Sequence, residues 1–405
     1  MKFVDFITES KNTHMTHIED KVIYGGVNGT RQAIFALREL RDMLAGKGTA
    51  GLSTKWDGAP AIFCGQDPTD GKFFVAKKGI FNKNPKVYKT DADVEADTSG
   101  DLAEKLKDAL KYLPELGIKG VIQGDFLFGR GDLGKKKIDG VQYTTFHPNT
   151  IVYAIPFEQS KEVRDAKIGI VWHTTYKGKT FESMTASFGV DVSKLKKSKN
   201  VWSQDAMLRS VDATMTQQET EQVNEYLSKA GKLFNQISGT TLRTLEGNPV
   251  LAGTIETFNN TYVRKGQTPG DSKKHAQALI KYIQDKYQKE IDKRKTEKGK
   301  SAQVEKRDEI LKFFSPKNLE SLEKMFDLQK MIVLAKLKLI NKLNSLKKID
   351  TFVQTKTGYK VTGEEGYVAI DKLGGDAVKL VDRMEFSYNN FSPDIVKGWD
   401  KPTRG

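Results

Sequence analysis

The character of the sequence changes twice along the chain, and this alternation limits the possible folds more than any other feature. From about 50 to 185, short apolar runs such as PAIFCG and GVIQGDFLFG are separated by glycines. Residues 190–348 instead follow helical spacing, and strand-like sequence returns from about 351. The pattern predicts an α+β protein in which a mostly antiparallel sheet core is interrupted by a large helical insertion.

The predicted organisation has four parts. Within the insertion, the polar stretch at 294–309 predicts a connection between two helices. The parts are an N-terminal helical segment at 1–49, the first part of the core at 50–189, the helical insertion at 190–348 and the second part of the core at 349–405.

Composition narrows the class of protein. The formal charge is +14 and the sequence pI is about 9.4, which favours a polyanionic partner, nucleic acid first. A solvated basic surface without a specific partner is the alternative. Cys64 is the only cysteine, which excludes a disulfide framework and a cysteine zinc site. We find no signal-peptide pattern and no apolar run near the roughly 18 residues of a membrane span. We therefore expect a cytoplasmic protein that is neither secreted nor bound to a membrane.

The pattern Lys-x-Asp-Gly occurs twice, at Lys55–Gly58 in STKWDGAPAIFCG and at Lys137–Gly140 in KKIDGVQY. Alone it is not specific, because an Asp-Gly pair is typical of a turn in which Asp bonds locally and Gly accepts a positive φ. Chemistry at one of these lysines therefore requires further residues.

An ordered set of residues follows Lys55, each in or beside a predicted strand. A lysine that attacks an α-phosphate must be neutral, so nearby cations or a metal must lower its pKa. It also needs carboxylates to hold a divalent ion, cations to offset the phosphate charge, and an aromatic slot for the base. The set comprises Lys77, Lys78 and Gly79 in VAKKGIF, Asp125 in QGDFLF, Tyr153 and Phe157 in IVYAIPF, Glu365 and Gly366 in EEGYVAI, and Lys379 in AVKLVDR.

In this order the motifs resemble those of the covalent nucleotidyltransferases, specifically the ATP-dependent polynucleotide ligases. The resemblance implies that Lys55 accepts AMP as a phosphoramidate and that Asp57 and Gly58 complete its nucleotide-binding motif. It further implies that Lys78 approaches the ribose or the 5′-phosphate of the substrate, and that Asp125 reaches the ribose or a metal ion.

The remaining motifs supply the other expected roles. By the same resemblance, Tyr153 stacks on adenine, Glu365 is a carboxylate linked to Mg²⁺ or Mn²⁺, and Lys379 belongs to the last catalytic motif. Two positions depart from the family pattern: Asp125 stands where Glu is usual, and Val381 stands where a second lysine is common. The resemblance covers about 50–185 and 351–388.

The motif order also separates the two lysines. If Lys137 were the nucleophile, the basic and first acidic elements would precede it rather than follow it. The neighbouring GRGDLGKK, 129–136, matches a P-loop except that Lys136 replaces Ser or Thr. Turn and strand sequence follows it, whereas a P-loop must open a helix, so we expect a glycine hairpin.

These patterns together predict a monomeric, ATP-dependent RNA or DNA ligase. With one cysteine, the chain lacks the four-cysteine module of NAD-dependent ligases. A compact core with its own insertion suits a phage enzyme that acts in the host cytoplasm. The alternatives are an mRNA-capping-type guanylyltransferase and a non-catalytic nucleic-acid-binding protein on a degenerate nucleotidyltransferase fold.

The insertion is rich in lysine and is expected to clamp nucleic acid over the nucleotide site. Lysines that merely keep a helical bundle in solution are the alternative. The side chains expected to reach solvent or phosphate are Lys336, Lys338, Lys342, Lys347 and Lys348.

Overall fold

The computed structural model describes residues 15–48, 50–208, 214–370 and 377–399. In these ranges the protein is a mixed α and β structure, in agreement with the predicted α+β class. The strands are β1 Gly51–Lys55, β2 Ala61–Gln66, β3 Phe73–Ala76, β4 Val121–Gly129, β5 Gly134–Ile138, β6 Val141–Phe146, β7 Ile151–Pro156, β8 Ile168–Lys177, β9 Thr185–Phe188, β10 Val201–Asp205, β11 Asp350–Thr355, β12 Gly358–Val361, β13 Gly366–Ile370 and β14 Ala377–Leu380.

Some helices lie between strands of the first sheet region. The others lie before that region, between it and the second sheet region, or after the last strand. They are α1 Lys21–Tyr24, α2 Gly26–Leu44, α3 Asp91–Asp97, α4 Gly100–Tyr112, α5 Lys161–Asp165, α6 Gln217–Phe234, α7 Gly239–Glu246, α8 Pro249–Arg264, α9 Ser272–Asp292, α10 Glu297–Phe313, α11 Pro316–Asn344 and α12 Arg383–Phe391.

The described strands form three sheets, and two of these combine strands from both strand-rich regions of the chain. One has the order β1-β13-β14, the second has the order β10-β8-β4-β2-β3 with β9 also paired to β8, and the third has the order β12-β11-β7-β6-β5. Among the described pairs, only β10 and β8 run parallel. Strands that follow the long helices therefore complete sheets begun before them, as the interrupted pattern of the sequence predicts.

The helical unit differs from the predicted insertion at its first boundary, whereas its last helix ends at Asn344, close to the predicted end at 348. It begins at Gln217, because Val201–Asp205 forms β10 and joins the sheet of β8. The predicted boundary at 190 is therefore too early. The N-terminal helix α2 is not a separate segment either, since Leu37 and Leu40 share one apolar core with α6, α7 and α11. The polar stretch expected to be a connection is helix α10, whose N-cap is Thr296.

The second Lys-x-Asp-Gly copy forms the turn of a hairpin. The glycine hairpin expected at 129–136 is wrong, because β4 and β5 on either side of that stretch belong to different sheets. Strands β5 and β6 pair antiparallel, and Asp139 and Gly140 form the turn with φ of 49° and 85°. Lys137 is an exposed residue of β5, at the edge of a sheet that does not contain Lys55. Strand β5 begins at Gly134, inside GRGDLGKK, where a P-loop would require the start of a helix, which excludes phosphate binding of the P-loop type.

A cluster of buried charges ties the N-terminal residues to the helical unit. Lys336 of α11 is 1% exposed and donates to both carboxylate oxygens of Glu19, at 2.8 and 2.9 Å. Arg383 of α12 donates to Asp20 at 2.8 Å and to Asn260 of α8 at 2.6 Å. The expectation that Lys336 reaches solvent or phosphate is therefore wrong. Burial raises the pKa of Glu19, but the charges of Lys336 and Arg383 outweigh it and lower that pKa to about 2.

No helix of the described ranges is long and apolar enough to span a membrane.

Substitution of Lys336 by Met should strongly destabilise the protein, because it leaves the Glu19 carboxylate buried without its main partner. Loss of one member of a buried ion pair costs about 3 to 5 kcal/mol. Lys338→Met, an exposed change on the same helix, should alter the free energy of unfolding by less than about 0.5 kcal/mol. Urea denaturation followed by circular dichroism measures both, and equal effects would contradict a stabilising role for the cluster.

Candidate active site

Lys55 and Glu365 are brought together by the pairing of β1 with β13. Lys55, the last residue of β1, lies opposite Gly366, and Glu365 directly precedes β13. The Lys55 Nζ atom forms an ion pair with Glu365 Oε1, with 28% and 13% of the two side chains exposed. On its other edge β1 is bonded to the chain after β10, through Thr54 N–H and the Ala206 carbonyl oxygen at 2.8 Å. Two expected catalytic residues, distant in sequence, are thus in direct contact.

The alternation of the strands gives the β1-β13-β14 sheet two different faces. Leu52, Ala369 and Val378 are cross-strand neighbours and pack into the core of the helical unit. Because successive side chains point to opposite faces, Ser53, Lys55 and Val368 point away from that core, and all three line a cleft. The helical unit therefore supports the sheet from behind while the lysine remains accessible.

The glycines of both motifs permit close approach of the backbone. A Cβ atom on Gly58 would lie 2.6 Å from Asp125 Cβ, and one on Gly366 would lie 2.6 Å from Val381 Cγ2. Gly58 does not have a positive φ, so close packing against β4, rather than a tight turn, accounts for the glycine. The Asp-Gly pair consequently places the chain after Lys55 directly against Asp125.

Asp57 is an anchor within the protein rather than a residue of the cleft. It is 4% exposed, and its carboxylate accepts hydrogen bonds from Thr150 N at 2.6 Å, Ile151 N at 2.7 Å and Asn149 Nδ2 at 2.7 Å. Burial raises its pKa, and these donors oppose that shift. Asp57 therefore fixes the end of β1 to the start of β7, and the expected direct contact with nucleotide does not fit this position.

Trp56, rather than the expected Tyr153, is the aromatic residue beside Lys55 that lines the cleft. The Tyr153 side chain is fully buried, and its hydroxyl oxygen accepts from Asp57 N at 2.7 Å. The Trp56 ring stacks on Tyr153 with centroids 4.9 Å apart and is itself a lining residue of the cleft. The adenine-stacking role expected for Tyr153 is thus physically blocked. The sequence could have indicated Trp56 as a residue of the cleft, because it lies between Lys55 and Asp57 in the Lys-x-Asp-Gly motif.

The cleft has a volume of about 130 Å³ and a polar group on its far wall. Asp125 of β4 and His173 of β8 face each other there, with His173 Nε2 3.5 Å from Asp125 Oδ2. Phe188 of β9, which is 43% exposed, adds an apolar wall. Sequence reasoning found Asp125 but missed His173 and Phe188, which the pairing of β8 with β4 and β9 places beside it.

The electrostatics of the ion pair reflect its burial. Burial raises the pKa of Glu365 to about 7, the Lys55 ammonium opposes this shift, and the carboxylates of Asp57 and Asp125 add to it. Lys379 of β14 lies opposite Val368 and so on the same sheet face as Lys55. Burial, together with the charge of Lys55, lowers the pKa of Lys379. Glu365 can therefore gain a proton near neutral pH.

The expected basic residue Lys78 and the carboxylates expected to hold a metal ion are only partly brought together at the cleft. Lys78 is exposed in the short helix that follows β3 and is not among the described residues that line the cleft. Within the described ranges, no group of three or more His, Cys, Asp or Glu side chains is placed to hold a metal ion. Asp125 and Glu365 are close enough to influence each other electrostatically. Two carboxylates suit Mg²⁺ that is also held by substrate phosphates.

Comparison with known proteins identifies a family but not an activity. No curated protein and no solved structure matches the chain. A model of a family of unknown function, DUF6267, matches residues 12–394. The match spans both parts of the sheet region and the helical unit between them, and the chain belongs to this family.

Proposed function

We propose that the protein is an ATP-dependent polynucleotide ligase that joins 3′-hydroxyl and 5′-phosphate ends of RNA or DNA. The observation that supports this most is the contact between Lys55 and Glu365 at a cleft that also contains Asp125 and Trp56. A lysine paired with a carboxylate of raised pKa, beside an aromatic face, suits nucleophilic attack on a nucleotide.

In the proposed first step the Lys55 amine attacks the α-phosphorus of ATP. A nitrogen–phosphorus bond forms, the bond between the α-phosphorus and its bridging oxygen breaks, and pyrophosphate leaves. Glu365 accepts the proton that Lys55 must lose. A 5′-phosphate oxygen of the nucleic acid then attacks the phosphorus of lysyl-AMP, the nitrogen–phosphorus bond breaks, and Lys55 leaves as an amine that regains its proton from Glu365. The 3′-hydroxyl oxygen finally attacks the activated 5′-phosphorus, its proton passes to solvent, and AMP leaves as the phosphodiester forms.

The surrounding residues suit the demands of this reaction. Trp56 offers the base a stacking surface in place of Tyr153, and Asp125 with His173 offers hydrogen bonds to the ribose. Lys379 adds positive charge on the same sheet face as the nucleophile. Asp125, together with the substrate phosphates, would hold a divalent ion, which when bound neutralises phosphate charge, while Glu365 accepts the proton.

A lysine-lined groove beside the cleft suits the nucleic-acid partner. The groove has a volume of about 780 Å³ and is lined by the exposed lysines Lys161, Lys196, Lys197 and Lys199. Trp202 of β10 also lines it and meets Trp56 edge to face, with ring centroids 6.5 Å apart. This ring contact joins a lining residue of the groove to a lining residue of the cleft, whereas the expected clamp lies in the helical unit.

The first test concerns the nucleophile. Lys55→Ala should abolish the covalent nucleotide adduct, whereas Lys137→Ala should retain it, because Lys137 lies on a hairpin of another sheet. Intact-protein mass spectrometry after incubation with ATP, GTP or NAD measures the adduct. Adduct with ATP alone is expected. Adduct with GTP alone would identify a capping-type enzyme, and no adduct with any donor would point to a non-catalytic binding protein.

The second test concerns the proton acceptor. Because Glu365 accepts a proton only when ionised and its pKa is raised to about 7, the rate of adduct formation should increase about tenfold from pH 6 to pH 8. Glu365→Gln should lower the rate and remove this increase. Glu364→Gln is the matched control, since burial also raises the pKa of Glu364 to about 7. An unchanged pH profile in Glu365→Gln would exclude this role.

The third test locates the nucleic-acid path. Replacing Lys196, Lys197 and Lys199 by Ala should flatten the slope of log affinity against log salt by roughly 0.7 to 0.9 for each phosphate that the protein no longer neutralises. The same change at Lys286, Lys289 and Lys338, exposed lysines of the helical unit, should leave the slope unchanged. Fluorescence anisotropy with a 5′-phosphorylated oligonucleotide measures both. Flattening by the second set alone would assign binding to the helices.

A further inference from the structure

The lysine-lined groove also contains an aromatic ring, and neutralisation of phosphates does not account for it. Trp202 lines the groove and is partly buried. It lies in β10, which is the terminal strand of its sheet and, among the described strands, pairs only with β8. The outer edge of β10 is therefore not covered by another strand of that sheet.

The alternation of β10 fixes the direction of the Trp202 side chain. The neighbouring Ser203 Oγ accepts a hydrogen bond from Nε1 of Trp172, a core residue, at 2.7 Å. Because successive side chains of a strand point to opposite faces, Trp202 points away from that core. It packs instead against the separate core that contains Phe128 and Phe146.

The rings around Trp202 contact it without stacking on it. The ring centroids of Phe128 and Phe146 lie 5.9 and 5.8 Å from that of Trp202, at interplanar angles of 33° and 67°. Trp56 approaches it at 78°, whereas Trp56 and Tyr153 stack at 28°. The indole ring of Trp202 is thus held by its neighbours and has no stacked partner among the described aromatic residues.

Phe157, the aromatic residue at the start of the turn before α5, is not equivalent to Trp202. Lys135 Nζ lies 4.1 Å from the centroid of the Phe157 ring, and Arg164 Cζ lies 4.0 Å from it. Contacts of this kind hold cations against an aromatic ring. A base that stacked on Phe157 would compete with these cations, so Trp202 offers the better stacking surface.

The positive charges of the groove lie mainly on one segment of the chain. The lining lysines are Lys161, Lys196, Lys197 and Lys199, and the lining carboxylates are Glu162 and Asp165. The lysines outnumber the carboxylates, and both carboxylates belong to α5. Residues 196–199 carry three of the lysines and lie just before β10 in the chain. A phosphate backbone is therefore expected along 196–199, next to the strand that carries Trp202.

The combination of lysines and an unstacked aromatic ring distinguishes between kinds of nucleic acid. Lysines alone neutralise the phosphates of a duplex or of a single strand. A base within a duplex is covered by its neighbours, whereas an unpaired base offers a free face to an aromatic side chain. A basic groove with an aromatic stacking surface is accordingly typical of single-strand binding.

We propose that the groove binds single-stranded nucleic acid, with one base stacked on Trp202 and the backbone phosphates neutralised by Lys196, Lys197 and Lys199. The assignment of the groove to nucleic acid rests on the proposed function, and the unpaired state of the strand rests on Trp202. The protein would then join single-stranded ends rather than the two sides of a nick in a duplex.

Three 5′-phosphorylated probes of equal length test the proposal on the unaltered protein: a single strand, a blunt duplex and a strand that lacks every base. Fluorescence anisotropy without ATP should show that the single strand binds more tightly than the duplex. It should also bind at least about fivefold more tightly than the baseless strand, since the stacking of one base contributes about that factor or more. Charge alone favours the duplex, whose phosphates are more closely spaced. Tighter or equal binding of the duplex, or equal binding of the baseless strand, would overturn the proposal.

A matched pair of variants separates stacking from charge. Trp202→Leu should lower the affinity for the single strand about fivefold or more and leave its salt slope unchanged, since the ring carries no charge. Trp399→Leu, at a position 64% exposed that does not line the groove, should change neither. Unchanged affinity in a folded Trp202→Leu variant would refute the stacking role. If Trp202→Leu does not fold, the baseless strand still decides the matter on the unaltered protein.

The result can be separated from that of the ligase proposal. Binding is measured without ATP, whereas the covalent adduct is measured without nucleic acid. A preference for the single strand without any adduct would contradict the ligase and leave the single-strand site intact. An adduct with ATP together with a preference for the duplex would contradict the single-strand site and leave the ligase intact.

Discussion

The position of Lys55 depends on the carboxylate of Asp57. Asp57 is buried, and its three accepted hydrogen bonds join the end of β1 to the start of β7. Its own N–H group donates to Tyr153 of β7 at 2.7 Å. These bonds fix two sheets together at the point where Lys55 ends its strand. A charged acceptor with several donors is among the stronger hydrogen-bonded arrangements in a protein. Asp57 thus makes the lysine rigid without entering the cleft.

The helical unit packs against the other face of the β1-β13-β14 sheet. Leu52, Ala369 and Val378 share its apolar core, so β1, β13 and β14 cannot move independently of the helices. The Glu19–Lys336 pair adds a charged contact between α11 and the N-terminal residues. Just before that contact, the Thr16 carbonyl oxygen accepts from Lys379 N at 3.0 Å. One continuous set of contacts therefore connects the buried charge cluster to the strand that carries Lys379.

The sequence predicted those features that depend on local pattern and motif order. Glycine-punctuated strands on both sides of a helical region predicted the interrupted α+β architecture. The motif order, through its resemblance to polynucleotide ligases, singled out Lys55 and Glu365, which the structure places in contact. The sequence did not predict features that depend on a partner residue far away in the chain. Lys336 resembles its exposed neighbours in sequence, and only Glu19, far away in the chain, makes its burial possible. Strand β10 was missed because its pairing with β8 has no signature in VWSQD itself.

The aromatic residues show the same limit at the site. Tyr153 and Trp56 both lie within expected motifs, and periodicity does not say which ring faces the cleft. The Asp57 N–H bond to the Tyr153 hydroxyl requires that ring to point inward, and Trp56 then covers it at 4.9 Å. The buried Tyr153 ring still contributes to the surface at the cleft, because stacking on Tyr153 holds the Trp56 ring in a single orientation. A base that stacks on Trp56 would therefore meet a preorganised face, and preorganisation lowers the entropic cost of binding.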